Sequence, residues 1–254
     1  MSETLGFDEA GSGSVLLLVH GFPLDRTMWA AQLTGLSDIR RVVALDLPGR
    51  GKSEGVKDDA WTIDGYADEV ARLVDELGVD QVDLAGLSMG GYVAFAFLRR
   101  HTAKVRSLIL VDTKAADDPA EAKEGRVNTA ALVREKGTVE LVGGLLPKLT
   151  APNADEAVIS SARKMFENTP GETAACDALA MKDRVDSTPA LATIEIPTLV
   201  LHGAEDQLMP VAGAEEMASK IPGAKFVSIA NGGHLSPMEN PTAVNKAIRE
   251  FLTG

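Results

Sequence analysis

The strongest regularity along the chain is a series of short apolar runs with little polar alternation. Val15–Val19 (VLLLV), Val42–Leu45 (VVAL), Val82–Ala85 (VDLA), Leu108–Val111 (LILV), Thr198–Leu201 (TLVL) and Phe226–Ile229 (FVSI) have this form. Runs of this length and branching predict strands covered on both faces, as in a parallel sheet. Between them, apolar positions recur at helical spacing over Met28–Leu36, Ile63–Leu77, Gly90–Arg100, Ala212–Lys220 and Thr242–Leu252. Strand–helix alternation of this kind predicts an α/β domain with a mostly parallel sheet flanked by helices.

One stretch breaks the alternation. Residues 113–190 contain no strand pattern but hold helical patterns at Ala120–Arg134, Thr138–Leu145, Asp155–Asn168 and Gly171–Met181, interrupted by Pro147, Pro152 and Pro170. They read as a helical cap inserted between two strands, leaving residues 1–112 and 191–254 as the core. Leu145, Leu146, Met165 and Phe166 are expected to pack within the insertion, some of them lining a cavity beneath it.

Composition narrows the function classes. A chain of 254 residues with 45% apolar and 24% charged residues suits one sizeable globular domain. The net charge of −12 argues against nucleic acid and anionic membrane as partners and leaves a small-molecule substrate open. It does not specify an oligomeric state. The single cysteine, Cys176, excludes an internal disulfide and reads as a small buried side chain. Residues 1–14 lack the basic and apolar regions of a signal peptide, and no apolar run approaches the roughly 18 residues of a membrane helix. The expectation is a cytoplasmic protein.

The candidate chemistry centres on Gly86-Leu87-Ser88-Met89-Gly90, a G-x-S-x-G between a predicted strand and a predicted helix. That context is what the motif requires: a sharp turn presents the serine hydroxyl, and glycines flank it because side chains would strike neighbouring backbone. The Met89 N–H then opens a helix, where it can stabilise an oxyanion. His20-Gly21-Phe22-Pro23 follows the first strong strand, so the Phe22 N–H can supply the second oxyanion donor, with His20 shaping the loop.

A serine nucleophile needs a base, and the base needs an orienting carboxylate. Of four histidines, His101 ends a helix and His202 ends a strand, and both read as structural. His234, in Asn231-Gly232-Gly233-His234-Leu235 after the last strand, fits the base. Asp206, after the strand Thr198–Leu201, fits the acid best, and Asp112, after Leu108–Val111, competes with it. Asp46-Leu47-Pro48-Gly49-Arg50-Gly51-Lys52-Ser53 ends like a phosphate-binding loop, but Asp46 stands where that loop needs glycine, so the segment reads as a structural turn. No metal-ligand spacing of histidines and cysteines occurs. Trp29 and Trp61 read as packing residues.

Taken together, HGFPLDRTMW (20–29), DLPGRGKS (46–53), GLSMGGYVAFAF (86–97), PTLVLHGAEDQLMP (197–210) and GGHLSPMENP (232–241) resemble the α/β-hydrolase family over essentially the whole chain. Within it they look most like bacterial short-chain carboxylesterases with a helical cap. The resemblance implies a cofactor-free serine hydrolase with a Ser88–His234–Asp206 triad, Phe22 and Met89 as oxyanion donors, no metal, and a small ester as substrate. Serine at position 88 separates the chain from relatives with an aspartate nucleophile, the dehalogenases and epoxide hydrolases. Lactonases (enol-lactonases included), thioesterases, carbon–carbon bond hydrolases and perhydrolases share the same triad, and a ligand receptor on a hydrolase scaffold is the alternative from another class. The segment before Val15 is too short for two strands, so the family's first edge strand is expected to be missing or vestigial.

Overall fold

A computed structural model describes residues 5–55 and 61–254. Residues 1–4 of the segment read for a leader lie outside the described residues, as do residues 56–60. Seven strands, β1 (Phe7–Ala10), β2 (Val15–Val19), β3 (Arg41–Leu45), β4 (Val82–Leu87), β5 (Val105–Val111), β6 (Thr198–Gly203) and β7 (Lys225–Ile229), form one sheet in the order β1-β3-β2-β4-β5-β6-β7. Every neighbouring pair is parallel except β1–β3. The six apolar runs are the six parallel strands, and β2, β4 and β6 are buried at every position, as coverage on both faces demands.

The first edge strand is present, four residues long. Its sequence, FDEA, carries little strand preference. Long-range contacts hold it: Phe7 pairs with Leu45 and Ala10 with Val42, while Asp8 meets Arg26 (2.6 Å) and Lys52 (2.5 Å) and Glu9 meets Arg41 (2.7 Å). Charges on such an edge also discourage pairing with another chain.

The strand order reverses direction at β2 and β4. From β2 the chain adds β3 on one side, then crosses to β4 and continues outward to β7. A crevice opens at the carboxyl ends of the strands at such a switch point. Val19 at the end of β2 stands opposite Gly86 in β4, so the loop from His20 and the turn at Ser88 leave the sheet side by side.

Helices flank the sheet: α1 (Ala30–Gly35) packs against the last helix (Pro241–Thr253), and α2 (Ile63–Glu76) against α3 (Met89–His101). Between β5 and β6 lie α4 (Ala120–Lys136), α5 (Val139–Val142), α6 (Leu146–Leu149), α7 (Glu156–Asn168) and α8 (Gly171–Lys182). The single helix expected over Thr138–Leu145 is instead α5 alone, and a separate short α6 begins at Leu146 with Pro147 in its first turn, where a missing N–H does no harm. Leu146, Met165 and Phe166 are buried, and Leu145 lines a cavity shared with Ser88. Among the described residues no helix is long and apolar enough to cross a membrane.

The helical insertion is tied to the turn at 46–53, to α2 and to the loop after β2 through polar contacts that are largely buried. Arg50 Nη2 lies 2.5 Å from Asp177 Oδ2 in α8, and the Tyr66 hydroxyl donates to Asp177 Oδ1 at 2.7 Å. The Thr173 hydroxyl donates to the Gly49 carbonyl (2.8 Å), and that of Thr169 to the Pro23 carbonyl (3.0 Å). The side chains of Arg50 and Asp177 are 1% and 0% exposed, so neither ion has water to fall back on. Removing one partner of a buried pair strands the other charge. Arg50→Met is therefore expected to lower unfolding free energy by about 3–5 kcal/mol. Arg50→Met/Asp177→Leu should recover a large part of that loss, as measured by urea titration of the wild type and both variants.

Candidate active site

Ser88 stands between β4 and α3 at φ 52°, a region that side-chain-bearing residues rarely adopt. Such a conformation costs on the order of 1–3 kcal/mol and persists only when its surroundings enforce it. Here the Ser88 N–H donates to the Val111 carbonyl (3.0 Å), and its own carbonyl accepts from Gly91 N–H (2.9 Å) and the Thr113 hydroxyl (2.8 Å). The flanking glycines are required by space. A Cβ on Gly86 would lie 2.2 Å from the Gly90 carbonyl oxygen, and one on Gly90 would lie 2.3 Å from that of Val19 and 2.7 Å from that of His20.

That last contact brings the His20 loop against the serine turn. His20 is fully buried and shapes this loop: its Nδ1–H donates to the Gly21 carbonyl (2.9 Å), and Nε2 accepts from Leu47 N–H (2.9 Å). Burial, helped by the nearby Arg50 charge, holds its pKa well below the ordinary imidazole value, consistent with a neutral ring. Among the described residues, neither the Phe22 N–H nor the Met89 N–H donates to a protein acceptor.

The other candidates converge on the same sheet edge. His234 Nδ1 lies 2.7 Å from Asp206 Oδ2, while His234 Nε2 has no hydrogen-bond partner among the described residues and makes no direct bond to Ser88 Oγ. Asp206 Oδ1 accepts from the N–H groups of Leu208 (2.8 Å) and Met209 (2.9 Å). Burial opposes ionisation of Asp206, but hydrogen bonds from His202 and His234 outweigh it and hold the carboxyl far below the ordinary carboxylate range. A Cβ on Gly203 would lie 2.0 Å from the Gly233 carbonyl oxygen, so only glycine lets the Asp206 and His234 loops approach this closely.

Asp112 has different partners. Its Oδ1 accepts from Gly203 N–H (2.7 Å), and Oδ2 accepts from the Ser236 hydroxyl (2.6 Å). It thereby fastens the end of β6 to the segment after His234 and makes no hydrogen bond to the imidazole of His234.

Two further residues stand at the site that sequence did not place there: His202, which reads as structural from its strand end, and Glu239. His202 Nε2 lies 2.7 Å from the Met209 carbonyl oxygen and 3.1 Å from Asp206 Oδ2, the oxygen that also meets His234. Burial alone would depress the His202 pKa, but the bond to Asp206 and the nearby Asp112 charge raise it above the ordinary value. Its position four residues before Asp206 was the available signal. Glu239 clamps the His234 loop, accepting from Gly233 N–H (3.0 Å), Leu235 N–H (3.1 Å) and Ala151 N–H (2.7 Å). Asp112, His202 and Asp206 present ligand-type atoms within 4.8 Å of one another, but both carboxylates are already engaged by the N–H and O–H donors just described. Cys176 is half-buried rather than buried, its thiol donating to Glu172 Oε1 (3.6 Å), and burial pushes its pKa up to about 11. That is the opposite of an activated thiol.

Comparison with known proteins agrees with this architecture. The family model for the alpha/beta hydrolase fold matches residues 14–241. A thermophilic esterase from Thermogutta terrifontis, solved with malate bound, superposes with a TM-score of 0.92 at 44% identity, over 98% of this chain and 92% of that one. The enol-lactonase from Burkholderia xenovorans superposes with a TM-score of 0.90 at 29% identity, over 98% and 96%. AB hydrolase superfamily protein YisY of Bacillus subtilis is 30% identical over 98% of this chain and 95% of its own length. The chain belongs to the α/β-hydrolase fold family, and it is a hydrolase.

Asp112 also sets a pH test. Burial raises its pKa from 3.8 to about 6, despite the favourable nearby imidazoles and the Ser236 hydrogen bond. A raised carboxyl pKa in the fold favours folding at pH below 4, and that advantage is lost as pH rises towards 6. The full displacement corresponds to at most about 3 kcal/mol. Asp112→Asn removes this titration, so its stability relative to wild type should be greater at pH 8 than at pH 4, as read by denaturant titration at both values.

Proposed function

We propose that the protein is a serine carboxylesterase that hydrolyses short-chain carboxylic esters through an acyl-enzyme on Ser88. The observation that carries this reading is the Asp206–His234 hydrogen bond at 2.7 Å, with the opposite ring nitrogen, Nε2, left unbonded at the sheet edge that also carries Ser88. Asp206 fixes the tautomer with the proton on Nδ1, which makes Nε2 the acceptor. Ser88 Oγ attacks the ester carbonyl as its proton passes to Nε2. The Phe22 and Met89 N–H groups, which donate to no protein atom among the described residues, hold the oxyanion. Collapse breaks the C–O bond, and the alcohol leaves with the proton from Nε2. Water then repeats the attack on the acyl-enzyme, releases the acid and restores Ser88 Oγ–H, so protons balance with water as the only second reactant.

The resemblance to the Thermogutta esterase supports the ester reading. The resemblance to an enol-lactonase supports a second reading, a lactone opened by the same steps. A panel of esters and lactones of graded acyl length, assayed with the purified protein, separates the two. A steady rise in kcat/KM up to long-chain acyl groups would overturn the short-chain assignment.

A fluorophosphonate is expected to label Ser88, and Ser88→Ala should lower kcat by about 10⁶, the size known for the subtilisin triad. Peptide mapping that found the label on another serine would sink the assignment. Asp206→Asn leaves an amide that presents the wrong donor pattern to His234, and should cost about 10⁴ in kcat, as in the trypsin-type triad. Asp112→Asn should cost far less, since its oxygens hold the backbone of Gly203 and the Ser236 hydroxyl. Steady-state turnover of one short ester by both variants tests the order; collapse in Asp112→Asn beside near-normal Asp206→Asn would reverse the two roles.

A further inference from the structure

The cavity that Ser88 opens into has a volume of about 910 Å³ and carries charge on its walls. Four cationic side chains, Lys114, Arg126, Lys148 and Lys220, line it against two carboxylates, Asp118 and Glu216. That is a positive excess inside a chain whose net charge is −12. Lys220 is neutralised by Glu216 at 2.7 Å. The other carboxylate is heavily over-subscribed. Asp118, with a side chain 2% exposed, takes Lys114 Nζ (2.9 Å) and Arg184 Nη2 (2.9 Å) on Oδ1, and Arg126 Nε (3.0 Å) on Oδ2.

Three cations on one carboxylate repel one another, and structure alone needs only one of them. Arg184 is that one: it is as buried as Asp118, donates also to the Met181 and Ala116 carbonyls, and stacks over the Tyr92 ring at 4.1 Å. The neighbouring Asp117 does not relieve the excess, because it pairs with Lys123 at 2.7 Å. Lys114 and Arg126, 36% and 25% exposed, remain on the cavity wall. Among the described residues the two terminal nitrogens of Arg126 donate to no protein acceptor, and Lys148, also on the wall, has no ion pair. A guanidinium held by its Nε still offers a planar pair of N–H donors, the geometry that a carboxylate accepts in bidentate fashion.

We propose that Arg126 and Lys114, set in place by Asp118, form a subsite for a free carboxylate on the substrate, remote from the bond that is cleaved. The preferred substrates are then esters that carry a second, ionised carboxyl group, such as half-esters of short dicarboxylic acids. This inference rests on the ester hydrolase reading above for its turnover test, and on ligand binding alone for its second test.

The turnover test compares the mono-4-nitrophenyl ester of glutaric acid with 4-nitrophenyl pentanoate, which has the same acyl length without the charge. At low ionic strength kcat/KM for the charged ester should exceed that for the neutral one by about tenfold, the weight of one charge-assisted contact. The ratio should fall towards one in about 1 M salt, where screening acts within roughly 3 Å. It should fall likewise in Arg126→Gln and in Lys114→Met. Because each ratio comes from one preparation, loss of folded protein cancels. A wild-type ratio of one or less, or a high ratio unchanged in Arg126→Gln, overturns the subsite while leaving the hydrolase reading intact. If neither ester is turned over, the ester reading falls, and calorimetric titration with glutarate decides the subsite: binding weakened about tenfold by Arg126→Gln upholds it, and absence of binding to the wild type removes it.

Discussion

The backbone at Ser88 is held in a conformation that it would not adopt alone, and much of the site is arranged around that constraint. A φ of 52° turns the chain from β4 into α3 abruptly enough to leave the hydroxyl at the open edge of the sheet. The cost is met by hydrogen bonds from a neighbouring strand and by the absence of side chains at positions 86 and 90. Because Gly90 rests on the carbonyls of Val19 and His20, the same packing sets where the Phe22 loop runs. Position of the serine and position of the loop beside it are thus one structural fact, produced at the point where the strand order reverses.

The opposite side of the site is governed by electrostatics. Two carboxylates sit at the ends of neighbouring strands, both buried, and their partners separate them. Asp206 is surrounded by two imidazoles and two backbone N–H groups and is held ionised. Asp112 has two backbone N–H groups and a hydroxyl but no hydrogen bond from an imidazole, and burial outweighs them. Divergent environments for similar groups at one edge are how a protein assigns them separate duties. His202, lying between the two, shares the Asp206 oxygen used by His234 while its other ring nitrogen faces Asp112 at 4.0 Å.

How far the sequence discloses this depends on whether a feature is local. The parallel strands were legible because doubly covered strands are apolar throughout, and the turn at Ser88 because its glycines are a local steric need. The closeness of Asp206 and His234 followed from their places after β6 and β7. What sequence did not disclose depends on distant partners. FDEA becomes a strand only because β3 offers an edge and Arg26, Arg41 and Lys52 offer charges. Glu239 is unremarkable in its own segment until Gly233, Leu235 and Ala151 turn their N–H groups towards it. The division of the expected helix at 138–145 reflects the local start of a new turn at Leu146, which apolar spacing alone does not register.

The ion pair between Arg50 and Asp177 has a consequence for how such molecules diversify. An inserted lobe that merely rested on the sheet could be exchanged between relatives as a module, with specificity travelling alongside it. Here the lobe is joined to the turn after β3 by a charge that has no solvent to retreat to. A chimera that imported a foreign lobe without an acid at the position of Asp177 would leave Arg50 charged and alone in the interior. Successful exchange therefore requires the turn and the lobe to be inherited as a pair, although 127 positions of chain separate the two residues.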